Sequence, residues 1–223
     1  MRCNRWITSV GLAVLALSLC VLAGDLVEPA TGKKFSPKRD IPSPNGAISL
    51  SCAGVGVRTK FIVKVYAIGY YLDPAYQARK KEKWQPVAGT SEALVKQKKF
   101  FDELVWDAYS RRFELNFARG VSGEQIRDAF EESLEANLPE LKKDPDTQAA
   151  AKNFLGWFTP EFAENDRIII NILADGSIEA FKNETRLGGL THPVLARGIN
   201  GIWLGRKCIS DSLKESLVAD FYR

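Results

Sequence analysis

One arginine stands in a long run of strand-forming residues. The run is Gly54-Val-Gly-Val-Arg58-Thr-Lys-Phe-Ile-Val-Lys-Val-Tyr66-Ala-Ile-Gly-Tyr-Tyr-Leu72, rich in Val, Ile, Phe and Tyr. A guanidinium half-buried on such a strand needs a partner, because an unpaired charge away from water is costly. The partner is either an acidic side chain or an anionic ligand. Other residue types with chemical potential are sparse. The only histidine, His192, precedes Pro193 at a turn or helix start and reads as structural. No spacing of His, Cys, Asp or Glu suits a metal ion, so neither metal nor cofactor is expected. Gly54-Val-Gly-Val lacks the strand-to-helix setting of a dinucleotide loop. Glu131 and Glu132 are adjacent, too close to work as an acid and a base across a substrate.

The chain has 223 residues, 45% hydrophobic and 26% charged, which fits one globular domain with a full core. Its beginning reads as a targeting segment. Arg2 and Arg5 form a basic start, an apolar stretch runs from Trp6 to Ala23, and Val21-Leu22-Ala23 offers a small residue at the cleavage position. Residues 1–23 are therefore expected to be a signal peptide, with an uncleaved anchor helix as the other reading. Cleavage would leave no stable membrane span and place the protein in the periplasm or outside the cell. Without Arg2 and Arg5 the 31 Lys and Arg fall to 29, against 27 Asp and Glu. So slight a positive balance makes no case for nucleic acid. The basic groups Arg79 to Lys83 and Lys96 to Lys99 read as solvated helix faces. Cys52 and Cys208 remain after export, and either a disulfide or two separate thiols would suit that compartment.

The elements that must position Arg58 follow from periodicity. Residues 24–46, rich in Pro, Lys and Asp, read as an N-terminal leader with at most a short strand, and 47–223 as the domain. Residues 47–57 and 59–72 read as two strands or one bent one, with glycines 54, 56 and 69 marking bulges or close approaches. Helices are expected at 74–83 and 91–106. From Ser110 to Arg119, Arg111, Phe113, Leu115 and Phe117 alternate with Arg112, Glu114 and Asn116, which is a strand with unequal faces. Arg111 is the polar exception on the apolar face, and snorkelling at the sheet edge would accommodate it. Ser122-Gly-Glu-Gln125 has the form of a capping box opening a helix closed by Pro139. A further helix covers 147–158. Ile168–Leu173 and Ile178–Lys182 pair through Asp175-Gly176, a dipeptide suited to a type I′ turn. Thr191–Leu204 reads as a helix with Gly205 at C′, and Ser210 or Ser212 caps a last helix carrying Leu213, Leu217 and Phe221. Antiparallel hairpins mixed with helices make an α+β fold, a sheet with one face covered by helices.

These blocks, in this order, resemble the chalcone isomerase superfamily, especially its bacterial exported branch. Gly56-Val-Arg58-Thr-Lys with Phe61–Leu72 is similar to the family's arginine-bearing strand region. Phe100-Phe-Asp-Glu-Leu104, the strand at 110–118 and Gly123-Glu-Gln125 are similar to its helix–strand–helix segment, and 199–217 to its C-terminal helices. The resemblance spans about residues 45–220. It implies an open-faced β-sandwich, a large antiparallel sheet under a helical layer with a ligand cleft between them. Members that make flavanones cyclise a chalcone and need a cation near the phenolate and donors near the developing oxyanion. By the resemblance, Arg58 matches the family arginine and Tyr66 takes the place of a catalytic threonine. Ile126 falls on the catalytic tyrosine, and Ser133 on an asparagine. Isoleucine has no donor, so an active site would have to be rebuilt around Arg58 and Tyr66. Noncatalytic relatives pair an arginine with a tyrosine to hold a fatty acid. That chemistry is sound, since a guanidinium takes a carboxylate bidentately and a phenol adds a third donor.

The favoured expectation is a noncatalytic binder of a small, fatty-acid-like carboxylate, held by Arg58 and assisted by Tyr66. One alternative is an isomerase, an intramolecular lyase acting on a chalcone-like enone with the same two residues. A second is a protein-interaction domain with no small ligand, in which Arg58 pairs with Glu114 or Asp73.

Overall fold

The computed structural model describes residues 24–44 and 46–222. The expected signal segment lies outside the described residues. The frame is an antiparallel meander of seven strands, each hydrogen-bonded to the next in the chain. They are β3 (Lys38–Ile41), β4 (Ile48–Lys60), β5 (Val63–Leu72), β6 (Arg111–Phe117), β7 (Arg167–Ile172), β8 (Ser177–Lys182) and β9 (Thr185–Thr191). A small hairpin, β1 (Leu26–Val27) with β2 (Lys34–Phe35), stands apart from the sheet. Helices α1 (Pro74–Trp84), α2 (Ser91–Leu94) and α3 (Lys98–Trp106) connect β5 to β6. Helices α4 (Gly123–Asn137) and α5 (Pro145–Gly156) connect β6 to β7, and α6 (Pro193–Leu204) and α7 (Asp211–Ser216) follow β9. This is the expected α+β fold with a helical layer over one sheet face.

Period-two alternation decides which residues meet that layer. Tyr66, Ile68, Tyr70 and Leu72 pair with Phe117, Leu115, Phe113 and Arg111, and all eight side chains are buried beneath the helices. Helix α6 is mostly apolar and mostly buried and runs through the middle of the layer, with Trp203 stacked on Phe113 at 4.5 Å. The capping box forms as read, and His192 caps α6 by accepting the Leu195 N–H at Nδ1, 3.1 Å. The glycine signals in β4 and β5 also hold. A Cβ on Gly54 would lie 2.3 Å from the Ser216 carbonyl of α7, and one on Gly69 would lie 2.8 Å from the Phe35 ring.

Several expectations are corrected. Residues 24–46 form three short strands rather than at most one. Their Phe35 and Ile41 are fully buried, and β3 begins the main sheet. The expected helix at 91–106 is broken at Val95–Gln97, beside like charges at Lys96 and Lys99. The strand at 185–191 carried no signal because Gly188 and Gly189 dilute its pattern. Gly188 is needed there, as a Cβ would meet the Trp157 ring at 2.3 Å. The β7–β8 turn is not type I′. Gly176 alone has positive φ and its N–H returns to the Leu173 carbonyl, the three-residue form with Gly in αL. Gly205 ends α6 with φ −70°, not in the left-handed conformation.

The two faces of β6 are unequal in another way than expected. Arg111 does not snorkel. It is 2% exposed and donates to Asn200 Oδ1 and the Tyr109 carbonyl, both at 2.6 Å, and to the Ala196 carbonyl at 3.3 Å. Burial lowers its pKa, and in place of an acid it meets neutral oxygens and the Tyr109 ring, 4.8 Å away. On the opposite face Glu114 is buried among Arg39, Arg112 and Arg167, at 3.0, 3.0 and 3.4 Å. Tyr70 and Tyr71 of β5 lie on opposite faces and both are fully buried, Tyr71 against Ile41 and Leu50.

Two carboxylates make the fold acid-sensitive. Burial alone would raise the pKa of Glu103, but Lys80, Lys83 and Trp84 hydrogen-bond to it and hold it down at about 2. Glu114 is lowered as well, its desolvation outweighed by Arg39, Arg112 and Arg167. A carboxylate depressed in the folded state stabilises fully above its unfolded pKa and loses that effect as pH falls through the folded value. Unfolding midpoints should therefore drop between pH 4.5, the ordinary value, and about 2 for Glu103. Glu103→Gln should flatten that part of a thermal-melt pH series. An equal slope in the variant would refute the assignment.

Candidate functional site

Arg58 and Tyr66 are cross-strand partners on β4 and β5, on the face that looks toward the helices. Immediately beyond them the register shifts, because Val65 is an extra residue between the Arg58–Tyr66 and Thr59–Lys64 pairs. A bulge at this place bends the hairpin and re-aims its side chains. The hairpin and the first three turns of α4 then bound a cleft of about 520 Å³, within the range of small-molecule sites. Arg58, Tyr66, Ile126 and Ser133, the four positions singled out from the sequence, all line it.

The chemistry of the cleft is divided. Its inner wall is apolar, with Val65, Val121, Ile126 and Phe130. Its rim carries Lys60, Arg119 and Lys207 besides Arg58, opposed by Asp128 and Glu132 of α4. Arg58 Nη1 donates to the Thr59 carbonyl at 2.6 Å, and no carboxylate of the described residues lies within ion-pair distance of it. The expected alternatives for a protein partner are ruled out by position. Glu114 is on the other sheet face, and Asp73 caps α1 by accepting the N–H groups of Ala75 and Tyr76. Tyr66 is 5% exposed, and its hydroxyl oxygen accepts from Trp203 Nε1 at 3.1 Å. Burial pushes the Tyr66 pKa up to about 12 against the opposing pull of Trp203 and Arg58, so the phenol keeps its proton. Its own O–H has no acceptor among the hydrogen bonds of the described residues.

A guanidinium with donors to spare and a protonated phenol, side by side above an apolar wall, suit one anionic head and one apolar body. They suit a general base poorly, since the phenol would have to ionise far above neutral pH. Arg119 and Lys207 carried no sequence signal. Arg119 follows the last residues of β6, and Lys207 is brought in by Asn137, which bonds both its N–H and its carbonyl. Among the described residues no cluster of His, Cys, Asp or Glu could hold a metal ion. Cys52 and Cys208 are separate thiols, bonded to the Gly54 carbonyl and to Asp211. A groove of about 440 Å³ on the far side of the sheet offers less, because its one arginine, Arg186, is already paired with Glu179 at 3.0 Å.

Comparison with known proteins agrees with the fold. The family model described as chalcone isomerase-like matches residues 93–219, more than half of the chain. A chalcone–flavanone isomerase of Raphanus sativus is 26% identical over 187 residues, covering 79% of this chain and 74% of that protein. The crystal structure of a fatty-acid binding protein of Arabidopsis thaliana superposes with a TM-score of 0.66 at 20% identity. It covers 88% of this chain and 97% of the other. That likeness shows the fold, a large antiparallel sheet with a helical layer.

Proposed function

The chain belongs to the chalcone isomerase-like family, and from that premise we propose that it is an exported, noncatalytic binder of a fatty-acid-like carboxylate. One observation carries the reading. Arg58 faces a partly apolar cleft, no carboxylate of the described residues lies within ion-pair distance of it, and the phenol beside it stays protonated. The head group would lie between Arg58 and Tyr66, with the chain along Ile126 and Phe130. The fatty-acid binding protein among the structural neighbours supports a small amphipathic ligand of this kind. The basic, apolar start of the chain supports export to the periplasm or beyond and a place in the bacterial exported branch. With Phe35, Ile41 and Arg39 packed into the fold, the mature domain is best taken from about residue 26 onward.

Tyr66→Phe should weaken binding of a long-chain carboxylate by roughly tenfold or more, the worth of one hydrogen bond to a charged group. It should also cost about 1 kcal/mol of stability, because the buried Trp203 N–H loses its acceptor. Binding should be level from about pH 6 to about pH 10, since the ligand is ionised and the phenol is not. Calorimetric titration across that range checks the affinity and its pH profile, urea unfolding checks the stability, and unchanged affinity in Tyr66→Phe would remove Tyr66 from the site.

The isomerase reading keeps one observation in its favour, the Raphanus relative named for that activity. Against it, Ile126, which by the resemblance falls on the family's catalytic tyrosine, lines the cleft without a donor for an oxyanion. Turnover of a 2′-hydroxychalcone above the buffer rate, lost in Arg58→Ala, would reverse the order of the two readings.

A further inference from the structure

The hairpin that carries Arg58 and Tyr66 ends in an unusual tip. Lys60-Phe61-Ile62-Val63-Lys64 is exposed throughout, and Phe61 and Ile62 are 93% and 94% exposed. These are by far the most exposed large apolar side chains of the described residues. The two-residue loop has φ +56° at Phe61 and no positive φ at Ile62, the pattern of a type II′ turn. Glycine is the usual residue at that first position, because a side chain there is strained. An aromatic residue in a strained conformation with nothing packed on it contributes nothing to the fold. Such local conflict marks positions kept for a task.

The surroundings say what the task is. The apolar triplet is bracketed by Lys60 and Lys64, and the segment from Arg58 to Tyr66 contains no acid. Exposed Arg119 stands on the same rim, and Lys60 and Val65 line the cleft itself. Apolar side chains ringed by cations fit an anionic lipid bilayer. The rings and branched chains enter the boundary between headgroups and acyl chains, while the lysines stay with the phosphates. A protein groove is a poorer match, because the tip is convex and only two residues wide.

We propose that this tip docks the protein on anionic membrane surfaces and sets the mouth of the cleft against the bilayer. That the docked cleft exchanges an acyl carboxylate with the membrane rests on the binding reading above; the docking itself does not. No helix among the described residues is long and apolar enough to cross a membrane, so attachment would be peripheral.

The test is vesicle flotation with the chain from Gly24 onward, which contains every described strand and helix. Vesicles are phosphatidylcholine with or without phosphatidylglycerol, at low and high salt. Wild type should float with the anionic vesicles, less at high salt and little with the neutral ones. Phe61→Gly/Ile62→Ser should lose roughly tenfold or more in partitioning. The same variant should unfold about 2 °C higher, because the turn strain is relieved. It should also keep its affinity for a soluble carboxylate probe, since neither residue lines the cleft. Equal flotation of variant and wild type, or no flotation of wild type on anionic vesicles, would overturn the proposal. Failure of the probe to bind would count against the cleft alone, because neither flotation arm uses it.

Discussion

Arg58→Ala is expected to weaken binding of a long-chain carboxylate by at least about a hundredfold while leaving the fold intact. Two charge-assisted hydrogen bonds at a partly desolvated site are worth roughly 3 kcal/mol or more, which converts to that factor. The fold should survive because Arg58 makes no ion pair, and its single hydrogen bond, to Thr59, runs along its own strand. Its removal breaks no ion pair of the described residues and leaves no buried carboxylate unpaired. A methyl ester of the same ligand should bind wild type as weakly as the acid binds Arg58→Ala, since each lacks one half of the pair. Titration calorimetry of the four combinations measures the coupling. Full affinity in Arg58→Ala would mean that the anion is held elsewhere, with Arg119 and Lys207 on the rim as the places to look.

The second large effect lies on the other face of the sheet. Glu114 is 2% exposed in its side chain and neutralises three arginines, of which Arg112 is itself mostly buried. Glu114→Gln would leave these cations facing a neutral amide and should cost about 3–5 kcal/mol, the scale of a broken buried pair. Arg39→Ala should cost only about 1 kcal/mol, because Arg39 is partly exposed and two cations remain for Glu114. Urea unfolding of both variants would separate the two cases. A loss below about 1 kcal/mol in Glu114→Gln would show that the cluster is solvated and contributes little. The contrast also bears on the N-terminal residues, since Arg39 belongs to β3 and ties them to the central strand.

Much of this architecture was legible in the residues. Runs of strand-forming residues located β4 and β5, period-two alternation located β6, and Asp175-Gly176 located the β7–β8 hairpin; the capping box located α4, and glycines 54 and 69, read as bulges or close approaches, are close approaches to α7 and Phe35. The candidate site was legible too, because Arg58 is a charge in an apolar strand and such a charge must be answered. Local pattern carries no information about what covers a strand from far away in the chain. Glu114 reads as an ordinary polar face until Arg39 and Arg167 are brought to it, and Arg111 reads as an edge residue until Asn200 of α6 meets it. Residues 185–191 failed for the reverse reason, since the glycines that erase the strand signal are there to admit Trp157. Phe61 reads as part of the strand at 59–72. The two-residue turn puts it at the hairpin tip instead, facing solvent.

Native mass spectrometry of the chain from Gly24 onward, purified from an exporting host beside Arg58→Ala, tests the central claim most directly. An acyl carboxylate should be bound to wild type and absent from the variant. An empty wild-type protein, or the same ligand retained in Arg58→Ala, would contradict it.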